Sequence, residues 1–268
     1  MRDTFLIVDG NSLMHRAFHA LPLMDYNGVY TNAVHGFLSM LLRCIRERAP
    51  RYCAVAFDEH APTFRHTEYA EYKAGRAPTP DELRPQFDII KEILSAMGLG
   101  VLSLTGYEAD DILGTLARRG EAAGYEMLLF TGDRDMYQLA TENVKIVSTK
   151  KGVSDVVIMT PESVDDLYHG ITPELVPDFY GLKGDTSDNI PGVPGIGEKT
   201  AMELLRRWGS MEQVYAHLEE LELRPGMRRK LAEGLESARM SYALATIDTN
   251  VPMDFHPAET RWTPADYK

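Results

Sequence analysis

Three carboxylates fall within four positions of the stretch "GYEADDILG": Glu108, Asp110 and Asp111. Like charges held this close repel and raise one another's pKa, so the grouping is unfavourable unless water or a cation compensates. Further acids end or follow apolar runs: Asp9 after "FLIV", Asp58 after "AVAF", and Asp133 with Asp135 after "LLFTG". A last pair, Asp185 and Asp188, lies in "LKGDTSDNIPG". Hard divalent cations take oxygen ligands, and Mg²⁺ in particular is held by carboxylates, waters and substrate phosphates. Nine such acids suffice for two ions, some bound through water, which would activate a water and stabilise the leaving oxygen of a phosphodiester. The competing role is capping of helices and turns, for which the helical pattern "YEADDILGTLARR" is suited. That alternative is strongest for Asp111 and Asp188.

For these acids to act together, the fold must carry distant stretches to one place. Short apolar runs, "TFLIVDG", "YCAVAFD", "GVLSLTG", "EMLLFTGD" and "VKIVS", alternate with helical patterns such as "NAVHGFLSMLLRCIRER" and "LRPQFDIIKEILSAMG" through residue 160. The alternation predicts an α/β domain with a mainly parallel sheet. In such sheets the carboxyl ends of the strands line one crevice, so Asp9, Asp58, Glu108, Asp133 and Asp135 are predicted to converge there. From about residue 161 short helices with Gly and Pro turns take over, and Asp185 with Asp188 would fold over the same edge. A domain boundary is expected near 160–172.

The composition, 44% hydrophobic and 25% charged over 268 residues, is that of a globular protein with one large domain or two smaller ones. No apolar run reaches the roughly 18 residues that cross a bilayer, and the start "MRDTFLIVDG" lacks the succession of a signal peptide. The expectation is a cytoplasmic protein without membrane contact. Cys44 and Cys53, one in a helical pattern and one in a strand, read as core residues rather than a disulfide or zinc site. The net charge of −12 argues at first against a nucleic-acid partner. Net charge does not locate charge, however, and acids gathered in one site leave room for basic patches elsewhere.

Two stretches supply such patches. In "FRHTEYAEYKAGRAPTP", Arg65, Tyr69, Tyr72, Lys73 and Arg76 recur at separations of three and four, predicting one basic and aromatic helical face suited to single-stranded DNA. A solvated helix paired through Glu68 and Glu71 is the alternative. "GVPGIGEKT" misses the P-loop pattern because Glu198 separates Gly197 from Lys199. Gly192, Gly195 and Gly197 instead suit a hairpin between helices whose free N–H groups can bind a DNA phosphate. The runs "RRW" and "RPGMRRK" read as solvated faces by default.

In order along the chain, "IVDGNSLMHRAFHAL", "AFDEHAPTFRHTEYAEYKAGRAPTP", "GYEADDILGTLA", "TGDRDMYQL" and "GLKGDTSDNIPGVPGIGEKTA" resemble the 5′ nucleases that include flap endonucleases and the N-terminal domain of bacterial DNA polymerase I. The resemblance covers nearly the whole chain. It implies a PIN-like α/β core, a helical arch over the site and a helix-hairpin-helix module, divided as a catalytic domain over 1–168 and a helical DNA-binding domain over 169–268. It also implies 5′-3′ exonuclease and 5′-flap endonuclease activity with two Mg²⁺, or Mn²⁺ in their place, in Okazaki-fragment processing and repair. Asp9, Asp58, Glu108, Asp110 and Asp111 would serve the catalytic metal, and Asp133, Asp135, Asp185 and Asp188 the second. Lys73 and Arg76 would act in catalysis. Arg16, Arg65, Tyr72, Gly195, Gly197 and Lys199 would join them in holding DNA with flaps, nicks or junctions, with K⁺ at the hairpin. The expected form is a monomer. The chain ends at Lys268 with no polymerase segment, and "RWTPADYK" carries no helix stop, which favours an excised domain over a free-standing nuclease. Three rival readings differ in specific ways. An Asp-nucleophile phosphatase wants a second acid where Asn11 stands, an inactive junction binder should lack a ligand, and a PIN-like ribonuclease would not need the arch and hairpin sequences.

Overall fold

The computed structural model describes residues 2–150, 152, 155–220, 223–255 and 257–263. In chain order the N-terminal elements are β1 (Thr4–Asp9), α1 (Gly10–Ala20), a small hairpin of β2 (Asp25–Tyr26) and β3 (Val29–Tyr30), α2 (Asn32–Arg48), β4 (Tyr52–Ala56), α3 (Phe64–Glu68) and α4 (Arg84–Ala96). They continue with β5 (Gly100–Leu102), α5 (Ala109–Ala122), β6 (Glu126–Thr131), β7 (Val144–Thr149) and β8 (Val156–Met159). Helices follow: α6 (Pro161–Leu167), α7 (Val176–Lys183), α8 (Glu198–Trp208), α9 (Met211–Ala216), α10 (Pro225–Glu233) and α11 (Leu235–Ala245).

The six large strands form one sheet in the order β5-β4-β1-β6-β7-β8, parallel throughout except where β8 runs against β7. Both faces are covered, which is why β1, β4 and β6 are apolar along nearly their whole length. Alternate residues of β1 serve different cores. Phe5 and Ile7 face α5 and the C-terminal helices, whereas Leu6 and Val8 face α1, α2 and α4. The first of these cores runs without a break into α7, α8 and α11, so the helical part shares its interior with the sheet. Strand order reverses between β1 and β6, the position at which such sheets open a crevice.

Three details depart from the sequence reading. The sequence reading does not include the hairpin of β2 and β3, although Asn27 and Gly28, with φ of 53° and 80°, form the left-handed pair that a two-residue turn needs. The edge strand β8 is likewise absent from the sequence reading. Most consequentially, the helix predicted across Phe64–Pro80 stops at Glu68. Residues 69–76 form an irregular strap, with Lys73 at φ 57°. Gly75, Pro78 and Pro80 are poor helix residues, and the strap's polar groups find partners elsewhere. Lys73 N donates to Asp188 O at 2.9 Å, and Asn189 Nδ2 donates to Glu71 O at 2.6 Å.

The hairpin after α7 depends on glycine. A Cβ at Gly192, with φ of 60°, would stand 2.2 Å from Gly184 N. No helix among the described residues is long and apolar enough to cross a membrane. Residues 264–268 of "RWTPADYK" lie outside the described residues.

Candidate active site

Beyond the carboxyl ends of β1, β4 and β6 lies a cleft of about 1120 Å³. Six of the nine predicted acids line it: Asp9, Asp58, Asp110, Asp133, Asp135 and Asp185. Each is fixed by the end of an element. Asp9 closes β1 and caps α1, accepting from Ser12 N at 2.9 Å and from the Thr131 hydroxyl at 2.7 Å. Asp58, just past β4, accepts from Ala109 N at 2.7 Å, and its own N–H donates to Asn11 Oδ1 at 3.0 Å. Asp110 sits in the first turn of α5. Asp133 accepts from Asp135 N at 2.9 Å while its N–H donates to Thr131 Oγ1 at 3.0 Å. Asp185 accepts from both the N–H and the hydroxyl of Ser187 at 2.8 Å.

Burial raises the Asp9 carboxyl to about 7, against the opposing hydrogen bonds from Ser12 and Thr131, with Asp58 and Asp133 adding to the rise. Asp58 is raised by burial as well. Asp110 is pushed well above the carboxylate range by burial and then by Asp9 and Asp133. Asp135 follows the same pattern, with Asp133, Asp185 and Asp188 as its neighbours, and Asp133 is raised chiefly by burial. Buried together, these acids do not ionise freely. Among the described residues no three Asp, Glu, His or Cys side chains form a ready metal cage. Mg²⁺ does not require one, because it keeps several waters and takes one or two carboxylates directly. The all-oxygen donor set of these buried, mutually repelling acids fits a hard divalent cation.

Glu108 and Asp188 are already occupied from the strap. Lys73 Nζ lies 2.8 Å from Glu108 and 3.8 Å from Asp188, and Arg76 pairs with Asp188. Burial would lower the Lys73 pKa, but the two carboxylates outweigh it and hold the ammonium above its usual value. Arg76 shows the same balance: burial would lower its pKa, but Asp188, with smaller contributions from Tyr72 and Glu108, holds it above its usual value. Both cations line the cleft.

Three assignments are corrected. Asp111, read as a metal ligand, does not line the cleft and is 0% exposed. Its oxygens accept from Arg65 Nη1 and Nη2 at 2.8 and 2.7 Å, from Asp248 N at 2.9 Å and from Glu108 N at 3.1 Å. Arg65, read as a DNA contact, is 2% exposed and spends its guanidinium on Asp111 and on the carbonyls of Leu244 and Thr246. Tyr72, read as a stacking platform, is 4% exposed, its hydroxyl 3.1 Å from Glu108 Oε2 and 3.3 Å from Asp188 Oδ2. With α3 ended at Glu68, the predicted basic face does not exist as one surface.

Arg16, on α1, lines a neighbouring groove with His15 and His19, and Ser12, His15 and Gly132 line both spaces. Gly195, Gly197 and Lys199 are exposed at the start of α8, where Gly197 is the cap and Gly195 has φ of 88°. Sequence reasoning missed Asn11 and Thr131, which hold the acids of neighbouring strands; polar residues at strand ends were the available signal. It also missed Tyr180, which hydrogen-bonds Asp135, and Lys183, which lines the cleft with its ammonium 4.7 Å from the Tyr180 ring centre.

Comparison with known proteins gives consistent matches. The family model of the 5′-3′ exonuclease N-terminal resolvase-like domain matches residues 4–169, and that of the 5′-3′ exonuclease C-terminal SAM fold matches 171–268. DNA polymerase I of Bacillus subtilis (strain 168) is 46% identical over 254 residues, covering 94% of this chain and 29% of the polymerase. The chain therefore spans less than a third of the length of that relative. Among solved structures, T5 5′-exonuclease with bound zinc superposes at a TM-score of 0.74 with 22% identity, over 92% of this chain and 90% of its own. The catalytic core of Rad2 in complex with DNA substrate reaches 0.61 with 14% identity, over 99% and 84%. These two likenesses speak for the fold. The two family models account for nearly every residue between them, and the chain belongs to the 5′-3′ exonuclease family.

Proposed function

We propose that this chain is a structure-specific 5′ nuclease, a 5′-3′ exonuclease and 5′-flap endonuclease, that hydrolyses DNA phosphodiester bonds with two divalent ions. The observation that carries the reading is the convergence of six acids on one cleft at the reversal point of the sheet. Asp9, Asp58, Asp110, Asp133, Asp135 and Asp185 would hold the ions directly or through water, with Glu108 and Asp188 available once the strap cations exchange partners. Mg²⁺ is the proposed ion, with Mn²⁺ able to replace it. Ions held there would activate a water and neutralise the leaving oxygen. The chain's own residues do the rest. Lys73 and Arg76 reach into the cleft from the strap, where a phosphate can take the place of Glu108 and Asp188 as their partner and be oriented for attack. Residues 1–168 would form the catalytic domain, and 169–268 would grip the duplex through the Gly195–Gly197 hairpin and Lys199, with K⁺ at the hairpin.

The biological setting that follows is removal of 5′ flaps and 5′-terminal nucleotides in Okazaki-fragment processing and repair, in the cytoplasm, by a monomeric unit joined to a polymerase segment. A labelled 5′-flap substrate tests the core of this reading. Cleavage should require Mg²⁺ and stop in excess chelator, while DNA binding persists in part. Asp133→Asn should lower the rate by orders of magnitude without loss of fold. Undiminished turnover in chelator would end the two-metal reading.

A further inference from the structure

The buried ion pair between Arg65 and Asp111 is left over once the cleft acids and strap cations are accounted for. Its four backbone anchors come from two stretches far apart in sequence, residues 244–248 and Glu108. Arg65 comes from α3 at the foot of the strap, and Asp111 from the first turn of α5, three residues after Glu108. Arg65 Nε and Nη2 donate to the carbonyls of Leu244 and Thr246 at 2.9 Å, at the end of α11. Asp111 returns the connection by accepting from Asp248 N at 2.9 Å and from the backbone N–H of Glu108 at 3.1 Å. Arg65 Nη1 also stands 3.5 Å from Glu108 Oε2. The other end of the path is the glycine hairpin. From α11, Ser241 Oγ accepts from Gly192 N at 2.9 Å and the Ser237 hydroxyl donates to Gly192 O at 2.6 Å. A continuous set of hydrogen bonds and one helix thus joins the exposed hairpin that opens α8 to Glu108 and the base of the strap.

Stability alone does not call for charges here. A buried ion pair replaced by apolar residues of similar volume is often neutral or better for folding, whereas a bidentate guanidinium fixes distance and angle together. We propose that Arg65 is a positioning residue that couples the hairpin's grip on duplex DNA to the placement of Glu108 and of the Lys73 strap. This rests on the nuclease reading above. Arg65 touches neither the reacting phosphate nor DNA; it sets where the acid and the strap cations stand when the helical part is engaged.

The test compares wild type with the double variant Arg65→Met/Asp111→Leu, which removes both charges, and with Arg65→Lys, which keeps the charge but cannot bridge Asp111 and two carbonyls at once. Affinity for a 5′-flap duplex is measured with Ca²⁺ in place of Mg²⁺, and the maximal single-turnover rate with Mg²⁺ at saturating DNA. Thermal melting of each protein reports the fold. Coupling predicts affinity within about twofold of wild type and a saturating rate lowered roughly 10-fold or more, since an ångström of misplacement can slow catalysis about 10²-fold. If the double variant does not fold, the same split is read from Arg65→Lys. A saturating rate equal to wild type would overturn the proposal. So would weakened affinity with an unchanged saturating rate, which would make the guanidinium a DNA contact. A wild-type protein that fails to cleave would instead sink the nuclease reading on which the coupling rests.

Discussion

Replacing Asp9 by Asn should stabilise the metal-free protein while removing its chemistry. Asp9 is 4% exposed, and burial raises its pKa from 3.8 to about 7. A folded-state value above the unfolded one means that the native protein holds the proton more tightly. Stability is therefore fully present below about pH 4 and is lost as pH climbs towards 7. The shift is about three pKa units, roughly 4 kcal/mol of stability lost by pH 8. Asn keeps the cap on Ser12 N, because amide and carboxylate oxygens cap helices about equally well. It cannot accept the Thr131 hydroxyl through Nδ2, and that lost hydrogen bond costs about 1 kcal/mol. The net gain of roughly 3 kcal/mol corresponds to about 5–10 °C in melting temperature for a protein of this size. Melting curves in excess chelator from pH 4 to 8 supply the check: the variant should melt above wild type at pH 8, and the difference should shrink towards pH 4. Millimolar Mg²⁺ should narrow the difference by stabilising wild type more than the variant, which keeps only the acids of the second ion intact. A variant that melts at or below wild type at pH 8 without metal would refute the argument that burial makes ionisation of Asp9 costly.

Lys73→Ala and Arg76→Ala should each slow single-turnover cleavage at saturating DNA by about 10²-fold, as when a transition-state donor is removed; unchanged rates in both would reduce the strap to a surface loop. A bulky block on the free 5′ end should slow wild type further if the strand passes beneath the strap, and equal rates on open and blocked flaps would exclude obligatory threading. Lys199→Ala should weaken duplex binding and lower the salt slope by roughly 0.9 while leaving the saturating rate alone; an unaltered affinity and slope would make the hairpin a structural turn. Gly192→Ala should destabilise the fold by about 2–5 kcal/mol, because the residue has φ of 60° and a Cβ would strike the Gly184 backbone. Denaturant unfolding measures this, and a wild-type midpoint would show that the hairpin relaxes freely.

The strands and the long helices of the N-terminal part were legible because their periodicity is imposed by burial, which composition reports directly. The convergence of Asp9, Asp58 and Asp133 followed from strand ends alone. What could not be read was which acid already has a partner. Asp110 and Asp111 are neighbours of one type in one helical turn, yet one opens on the cleft and the other is sealed by Arg65, from 46 residues earlier in the chain. The same holds for the strap. The spacing of Arg65, Tyr72 and Arg76 satisfies a helix, but Asp188, Ser187 and Asn189, more than a hundred residues away, offer the segment stronger partners than its own turns do. Asn27-Gly28, by contrast, is a local turn signal that was available in the sequence.

Asp9 and Glu108 each occupy the capping position of a helix, Asp9 on α1 and Glu108 on α5. The carboxylates proposed to hold an ion are therefore indexed to helix register, and neither first turn can slip by a residue without carrying its carboxylate away. A designer who grafted only the side-chain positions onto another scaffold would lose this registration. The portable unit is a strand end together with the helical turn that it starts, and a grafted site built on that unit inherits its rigidity from the backbone hydrogen bonds of both elements.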